Sequence, residues 1–247
     1  MIESLSFAEY SLALLILVAA YTFRGVTGFG SGLISIPLLA LFLPLTFVVP
    51  FISILDISAS LIHTVHTRKH IAWKVILRAL PFTVVGVTFG IYIIHSINTL
   101  ILVKALGAFI ILFAIYSLIS PTLKKNNSPA WPVFAGFFGS LIGTLFGTGG
   151  PFYVFYFHLQ QLDKTVFRAT CAAVFLIDGL IRATGFTLSG FYTSTVLINI
   201  AYALPIMFFA MYVGEQVHTN ISQRSFQRAV GIFLIVSGIA LIFKNQI

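Results

Sequence analysis

Charge is scarce in this chain. Of 247 residues only 8% are Asp, Glu, Lys or Arg, where a soluble domain carries about 25%. With 59% hydrophobic residues beside that shortage, a water-soluble fold is excluded. Cysteine is scarcer still: the single Cys171 permits no intrachain disulfide and fits no metal-ligand spacing. No His-Glu-x-x-His or comparable metal motif occurs, and no nucleophile and base can be paired without assuming contacts. Neither an enzyme nor a cofactor is therefore expected. A signal peptide is not expected either, because the start carries Glu3 and Glu9 where a basic region belongs and the hydrophobicity continues beyond it. A net charge of +8 would suggest nucleic acid in a soluble protein. Here Lys and Arg cluster between apolar runs, as the positive-inside rule demands, so no nucleic-acid partner is implied.

What fills the chain is apolar sequence of bilayer length. Runs lie at about 5–23, 30–45, 47–66, 76–94, 100–120, 133–147, 151–162, 168–188, 196–214 and 226–243, most near the ~20 residues that span hydrocarbon as helix. Alternating barrel strands would not give runs this long. The expected class is an all-α integral membrane protein with eight to ten transmembrane helices and the lipid bilayer as its surroundings.

The chain repeats itself. Phe29-Gly-Ser-Gly32 matches Phe146-Gly-Thr-Gly149, and Asp56 with Asp178, Pro81 with Pro205, Gly90 with Gly214, Lys104 with Arg228 and Gly107 with Gly231 follow in the same order. Residues 1–120 form a first membrane repeat and 133–247 a second. The polar, proline-flanked stretch 121–132, with Lys124 and Lys125, reads as a cytoplasmic linker. About five segments per half is an odd number, so the second half enters the membrane inverted. Charge agrees. Placing the loop of Arg68, Lys69, Lys74 and Arg78 inside also puts Lys124, Lys125, Lys164, Arg168, Arg224 and Arg228 inside, ten of fourteen basic residues. Lys104, Lys244 and both termini then fall outside. The runs at 30–45 and 151–162 are short or follow glycine-rich breaks, so one hairpin per half is either re-entrant or a broken crossing.

Those breaks are the first candidate site. Arg24-Gly-Val-Thr-Gly-Phe-Gly-Ser-Gly32 leading to Pro37, and Gly143-Thr-Leu-Phe-Gly-Thr-Gly-Gly-Pro151, place dense glycine at membrane depth. Irregular backbone survives there only when buried in protein or lining a cavity. A half-helix starting after a break turns free N–H groups and the positive end of its dipole toward an anion. Close helix packing on small residues is the other reading, and it is preferred for Gly86, Gly90, Gly136 and Gly139. Tyr153, just past the second break, either lines the pocket or faces lipid, as does Tyr156.

Charge inside the spans is the second candidate. Asp56 and Asp178 fall mid-span, where an ionisable group costs roughly 2.5–3.5 kcal/mol on the insertion scale. Asp178 and Arg182 are i,i+4 neighbours, which reads as a structural ion pair or as substrate or proton handling. The repeat puts Ser60 where Arg182 stands, so Asp56 is either reached by Arg24 or protonated. Arg24 or Arg182 would offer an oxyanion a forked guanidinium. Asp56 or Asp178 would carry protons if transport is proton-coupled. His63 and His66, near the basic loop, admit a pH-sensitive role or a merely interfacial one.

With its Gly-Phe-Gly-Ser-Gly…Pro run, the Phe-Gly-Thr-Gly-Gly-Pro echo after a mid-chain linker, and its length, the chain resembles the TauE/SafE sulfite-exporter family of membrane permeases. The resemblance covers almost the whole chain. It implies a secondary transporter moving a small sulfur-containing anion, such as sulfite, a sulfonate or thiosulfate, across the plasma (inner) membrane. It carries over Gly28, Gly30, Gly32 and Pro37, then Gly147, Gly149, Gly150 and Pro151, beside which Ser31 and Thr148 stand in the same breaks. The first motif departs from a more glycine-rich pattern at Ser31, and the second lacks a counterpart of Pro37. Rocking of one half against the other would give alternating access. An anion channel or, further off, an intramembrane enzyme are the rivals. Direction, coupling and oligomeric state leave no signature in the residues.

Overall fold

A helix forms where the backbone can be satisfied within one segment, which hydrocarbon demands. In the computed structural model, which describes residues 6–28, 30–119, 126, 128–216 and 234–244, the described residues are mostly helical, joined by short turns and without a strand. They form α1 (Phe7–Thr27), α2 (Ser31–Leu39), α3 (Leu45–Thr67), α4 (Trp73–Ser96), α5 (Thr99–Ile119), α6 (Ala130–Phe146), α7 (Gly150–Leu159), α8 (Lys164–Leu188) and α9 (Ser194–Gln216), and a further helical stretch over 234–242. Among these, six are long and apolar enough to cross a membrane: α1, α3, α4, α5, α8 and α9. Arg228, Gly231, Arg224, Lys124, Lys125 and the His66 side chain lie outside what is described.

Local chemistry sets the helix ends. At the start of α1, Ser6 Oγ accepts from the Glu9 N–H at 3.3 Å while Glu9 Oε2 accepts from the Ser6 N–H at 2.7 Å, a reciprocal capping box. Its far end stops at Gly28, whose φ of +87° is left-handed and whose N–H donates to the Arg24 carbonyl at 2.6 Å. α6 stops the same way: Gly147 has φ +63° and its N–H donates to the Gly143 carbonyl at 2.8 Å. After each stop comes a short helix of 9 or 10 residues, α2 or α7. At 1.5 Å per residue these reach about 14–15 Å, half a hydrocarbon core. The runs at 30–45 and 151–162 are thus half-helices followed by turns.

Glycine brings helices distant in sequence together. Gly25 of α1 faces the Met211 carbonyl and Gly214 of α9, and Gly214 faces the Thr22 carbonyl. On the other side, Gly86 of α4 meets Ser140 and Phe137 of α6, Gly90 meets Thr144, and Gly136 meets the Ala79 carbonyl. The packing reading holds for Gly86, Gly90 and Gly136. Gly139 instead makes room for the Tyr153 ring and for Gly149. α3 and α8 cross at the centre, where Ile57 lies against Gly179.

The two ends of the bundle differ in charge. At one, the Arg68–His70 turn packs on α8, the Ala72 N–H donates to Thr170 Oγ1 at 3.0 Å, and the Asn126 N–H donates to the Leu159 carbonyl at 3.1 Å. Arg68, Lys69, Lys164 and Arg168 gather there. At the other, the His95 ring meets Phe191 in a tilted contact at 5.3 Å and Lys244 Nζ donates to the Ala40 carbonyl at 2.9 Å. Large apolar side chains such as Leu188, Tyr202 and Phe209 are exposed on the flanks, as a lipid-facing surface requires.

Candidate functional site

Arg24 sits in the last turn of α1, buried, with only 4% of its surface exposed. A guanidinium there needs acceptors for every N–H it can satisfy. Its Nη1 donates to Asp56 Oδ1 at 2.6 Å and to Ser31 Oγ at 2.9 Å; its Nη2 donates to Ser60 Oγ at 2.6 Å and to the Asp56 carbonyl at 3.2 Å. Asp56 Oδ1 also accepts from Ser31 Oγ at 2.6 Å and from the Tyr21 hydroxyl at 2.9 Å. Arg24 therefore reaches Asp56, which resolves the choice the sequence left open. This network ties α1, α2 and α3 at the first break. Asp56 Oδ2 points toward Gly32, where a Cβ would come within 3.5 Å, and the Asp56 side chain keeps 21% exposure.

In the second half the components recur in another order. Asp178 and Arg182 pair at 3.4 Å on α8, and Arg182 Nη1 donates to the Gly143 carbonyl of α6. The Tyr153 hydroxyl donates to Asp178 Oδ1 at 3.1 Å and shares a 3.0 Å hydrogen bond with Thr83 Oγ1. Gly143 has no side chain, and a Cβ there would lie 3.3 Å from Arg182 Nη1. The helix caps explain the exchange. Gly28 closes on the carbonyl of Arg24, and Gly147 closes on that of Gly143, so Gly143 stands where Arg24 does. Ser60 stands where Arg182 does. Arg24 on α1 thus reaches Ser60 on α3, and Arg182 on α8 reaches the Gly143 carbonyl on α6.

The two breaks touch. A Cβ on Gly32 would lie 2.6 Å from the Gly147 carbonyl, and one on Gly147 would run into Ile36. Gly149 abuts the Gly139 carbonyl, and Gly150, followed by Pro151 at the start of α7, faces Phe175. Thr148 is buried, and its Oγ1 has no hydrogen-bond partner among the described residues. Neither have Nε of Arg24 and Arg182. Burial pushes the Tyr192 phenol up to about 12, with the Arg182 charge opposing, so it stays a donor. Gly30 meets the Phe23 ring, Gly28 faces Arg168, and Pro37 is buried within α2.

Several participants escaped the sequence reading: Tyr21, Ser53, Thr83 and Tyr192. Tyr21 alone left a trace, three residues before Arg24 on one helix face. Tyr156 is tied to the Val75 carbonyl at 3.4 Å, and His63 Nε2 lies 3.6 Å from Glu215 Oε1 on α9. Among the described residues no three His, Cys, Asp or Glu side chains gather as a metal set.

A cavity of about 440 Å³ opens at the basic end, between the end of α1, the end of α3 and the start of α8. Gly28, His63, Lys164, Arg168 and Cys171 are among its walls.

Comparison with known proteins shows the chain's family. The chain is 29% identical, over 95% of its own length and 95% of the relative's, to a Cupriavidus necator protein named "Probable sulfite/organosulfonate exporter TauE". It is 25% identical, over 76% of its length and 80% of the relative's, to a Comamonas testosteroni protein named "Probable inner membrane transporter protein TsaS". No solved structure matches significantly. The family profile described as "Sulfite exporter TauE/SafE" matches residues 12–241, and the chain accordingly belongs to the sulfite exporter TauE/SafE family of membrane transporters.

Proposed function

We propose that the chain carries a small sulfur oxyanion, sulfite or an organosulfonate, across the inner membrane by alternating access between two inverted halves. The observation that carries this is the meeting of the two glycine breaks, Gly32 against the Gly147 carbonyl, with one buried arginine network on each side. Arg24 and Arg182 supply the cationic groups, and Ser31, Thr148 and the N-terminal amides of α2 and α7 supply neutral donors. Several of these atoms have no partner among the described residues, as donors awaiting an anion would. The substrate class follows the printed name of the Cupriavidus relative.

Two features support inversion. The second broken hairpin has its ends joined at the basic end by Asn126 and Leu159, and the turn after α2 is tied to Lys244 at the opposite end. Helix α1 packs on α9 while α4 packs on α6, a reciprocal exchange expected of repeats related by a two-fold axis in the membrane plane. The basic end is cytoplasmic and both termini lie outside. Asp56, with 21% exposure against 5% for Asp178, is the carboxylate that exchanges protons if transport is coupled; Asp178 is the structural partner of Arg182.

The test is counter-flow of labelled sulfite, thiosulfate and a sulfonate in proteoliposomes, with and without a pH gradient. Saturable exchange of at least one of them is expected. Linear, non-saturating flux would make the protein a channel, and no flux of any would end the reading.

A further inference from the structure

We infer that the 440 Å³ cavity at the basic end is an anion-binding antechamber, in which Arg168 and Lys164 hold an oxyanion against the underside of the first glycine break. It is separate from the buried Arg24 and Arg182 networks. Lys164, Arg168 and Cys171 follow one another at helical spacing of four and three along α8, so they share one face. That face fronts the cavity. Arg168 lies over the end of α1, its Nη2 3.7 Å from where a Cβ on Gly28 would be.

Charge in the chamber is one-sided. Glu215 faces His63 at 3.6 Å and is not among the residues lining the cavity. The Asp163 carboxylate is engaged at the α8 terminus, accepting from the Thr165 and Val166 N–H groups at 3.1 Å each. Among the described residues, Lys164 and Arg168 have no carboxylate within ion-pair distance, leaving two uncompensated cations on one wall. At about 30 Å³ per water, the space admits an oxyanion with part of its hydration shell. Concave low-dielectric walls of one sign concentrate counter-ions and raise their arrival rate. Such a chamber loads the break from the cytoplasmic side. Calling the anion the transported one rests on the function proposed above; the chamber's preference for oxyanions does not.

Cys171 lines the chamber but is buried, so a T165C thiol in a C171A background, at an exposed position on the same wall, reports on what enters. The purified full-length protein is treated with ethyl methanethiosulfonates bearing either a sulfonate or a trimethylammonium group, and modification is followed by intact mass. With each rate divided by that reagent's rate toward free 2-mercaptoethanol, the sulfonate reagent is expected to react about tenfold faster, and sodium sulfate to slow it relative to potassium gluconate at matched ionic strength. In the R168A/K164A double variant the two rates converge to within about twofold and sulfate protection disappears, whereas R168K/K164R keeps the preference. Equal rates in the T165C/C171A protein, failure of both reagents to react with it, or an unchanged preference when R168A/K164A is added each overturn the proposal. If the labelling behaves as expected while liposomes show no flux of any sulfur anion, the chamber stands and the transport reading falls.

Discussion

At the scale of single residues, Arg24 divides two nitrogens among four acceptors on α2 and α3, a task that needs a planar fork. Arg24→Ala leaves Asp56 with two neutral donors in an apolar span, and breaking a buried pair costs about 3–5 kcal/mol, less here because Asp56 is part-exposed. Loss of labelled sulfite flux by at least about tenfold, with reduced monodisperse yield in size exclusion, is expected. Arg24→Lys should restore the yield and not the flux, since a point charge cannot serve all four acceptors. The exchanged arginines give a second test. In Arg182→Ser the yield falls; adding Gly143→Arg rebuilds the first half's arrangement and should recover it. The Arg24 to Asp56 link was only half legible: a lone carboxylate in hydrocarbon demands a cation or a proton, and the residues alone left both open. Thr83 and Tyr192 were not legible, since which polar side chains meet across helices depends on crossing geometry that no local pattern encodes.

At the scale of elements, the half-helices were visible in the sequence because glycine clusters interrupt otherwise apolar runs. Their register was not. Matching Phe-Gly-Ser-Gly to Phe-Gly-Thr-Gly aligns Gly30 with Gly147, but the helix ends where the first left-handed residue falls, and in the first half that is Gly28. The caps thus sit two residues out of step with the motif. They also differ in surroundings. An L-residue in this conformation costs roughly 1–2 kcal/mol, and at Gly147 the added methyl also strikes Ile36, whereas at Gly28 it meets only the mobile end of Arg168. Gly147→Ala should therefore lower the detergent melting temperature more than Gly28→Ala. Gly214→Val, pressed into the Thr22 carbonyl, should destabilise by about 1–3 kcal/mol through overpacking, read in the same melt.

At the scale of the whole molecule, placement of the membrane follows from where charge collects, and it can be checked from both sides. In a Cys171→Ala background, thiols introduced at Lys69 and Thr165 should label only from the cytoplasm, and those at Asn98 and Gly190 only from outside. Labelling of all four from one face would refute the inverted arrangement. The reciprocal packing has a consequence for how the chain is made. α1 leaves the ribosome first, yet the helix that receives its glycine face, α9, is among the last to be synthesised. At roughly 5–20 residues per second, α1 waits on the order of ten to forty seconds for it. During that interval the early arrival of α3, which delivers Asp56 to Arg24, is what keeps the first helix from entering the bilayer with a naked charge.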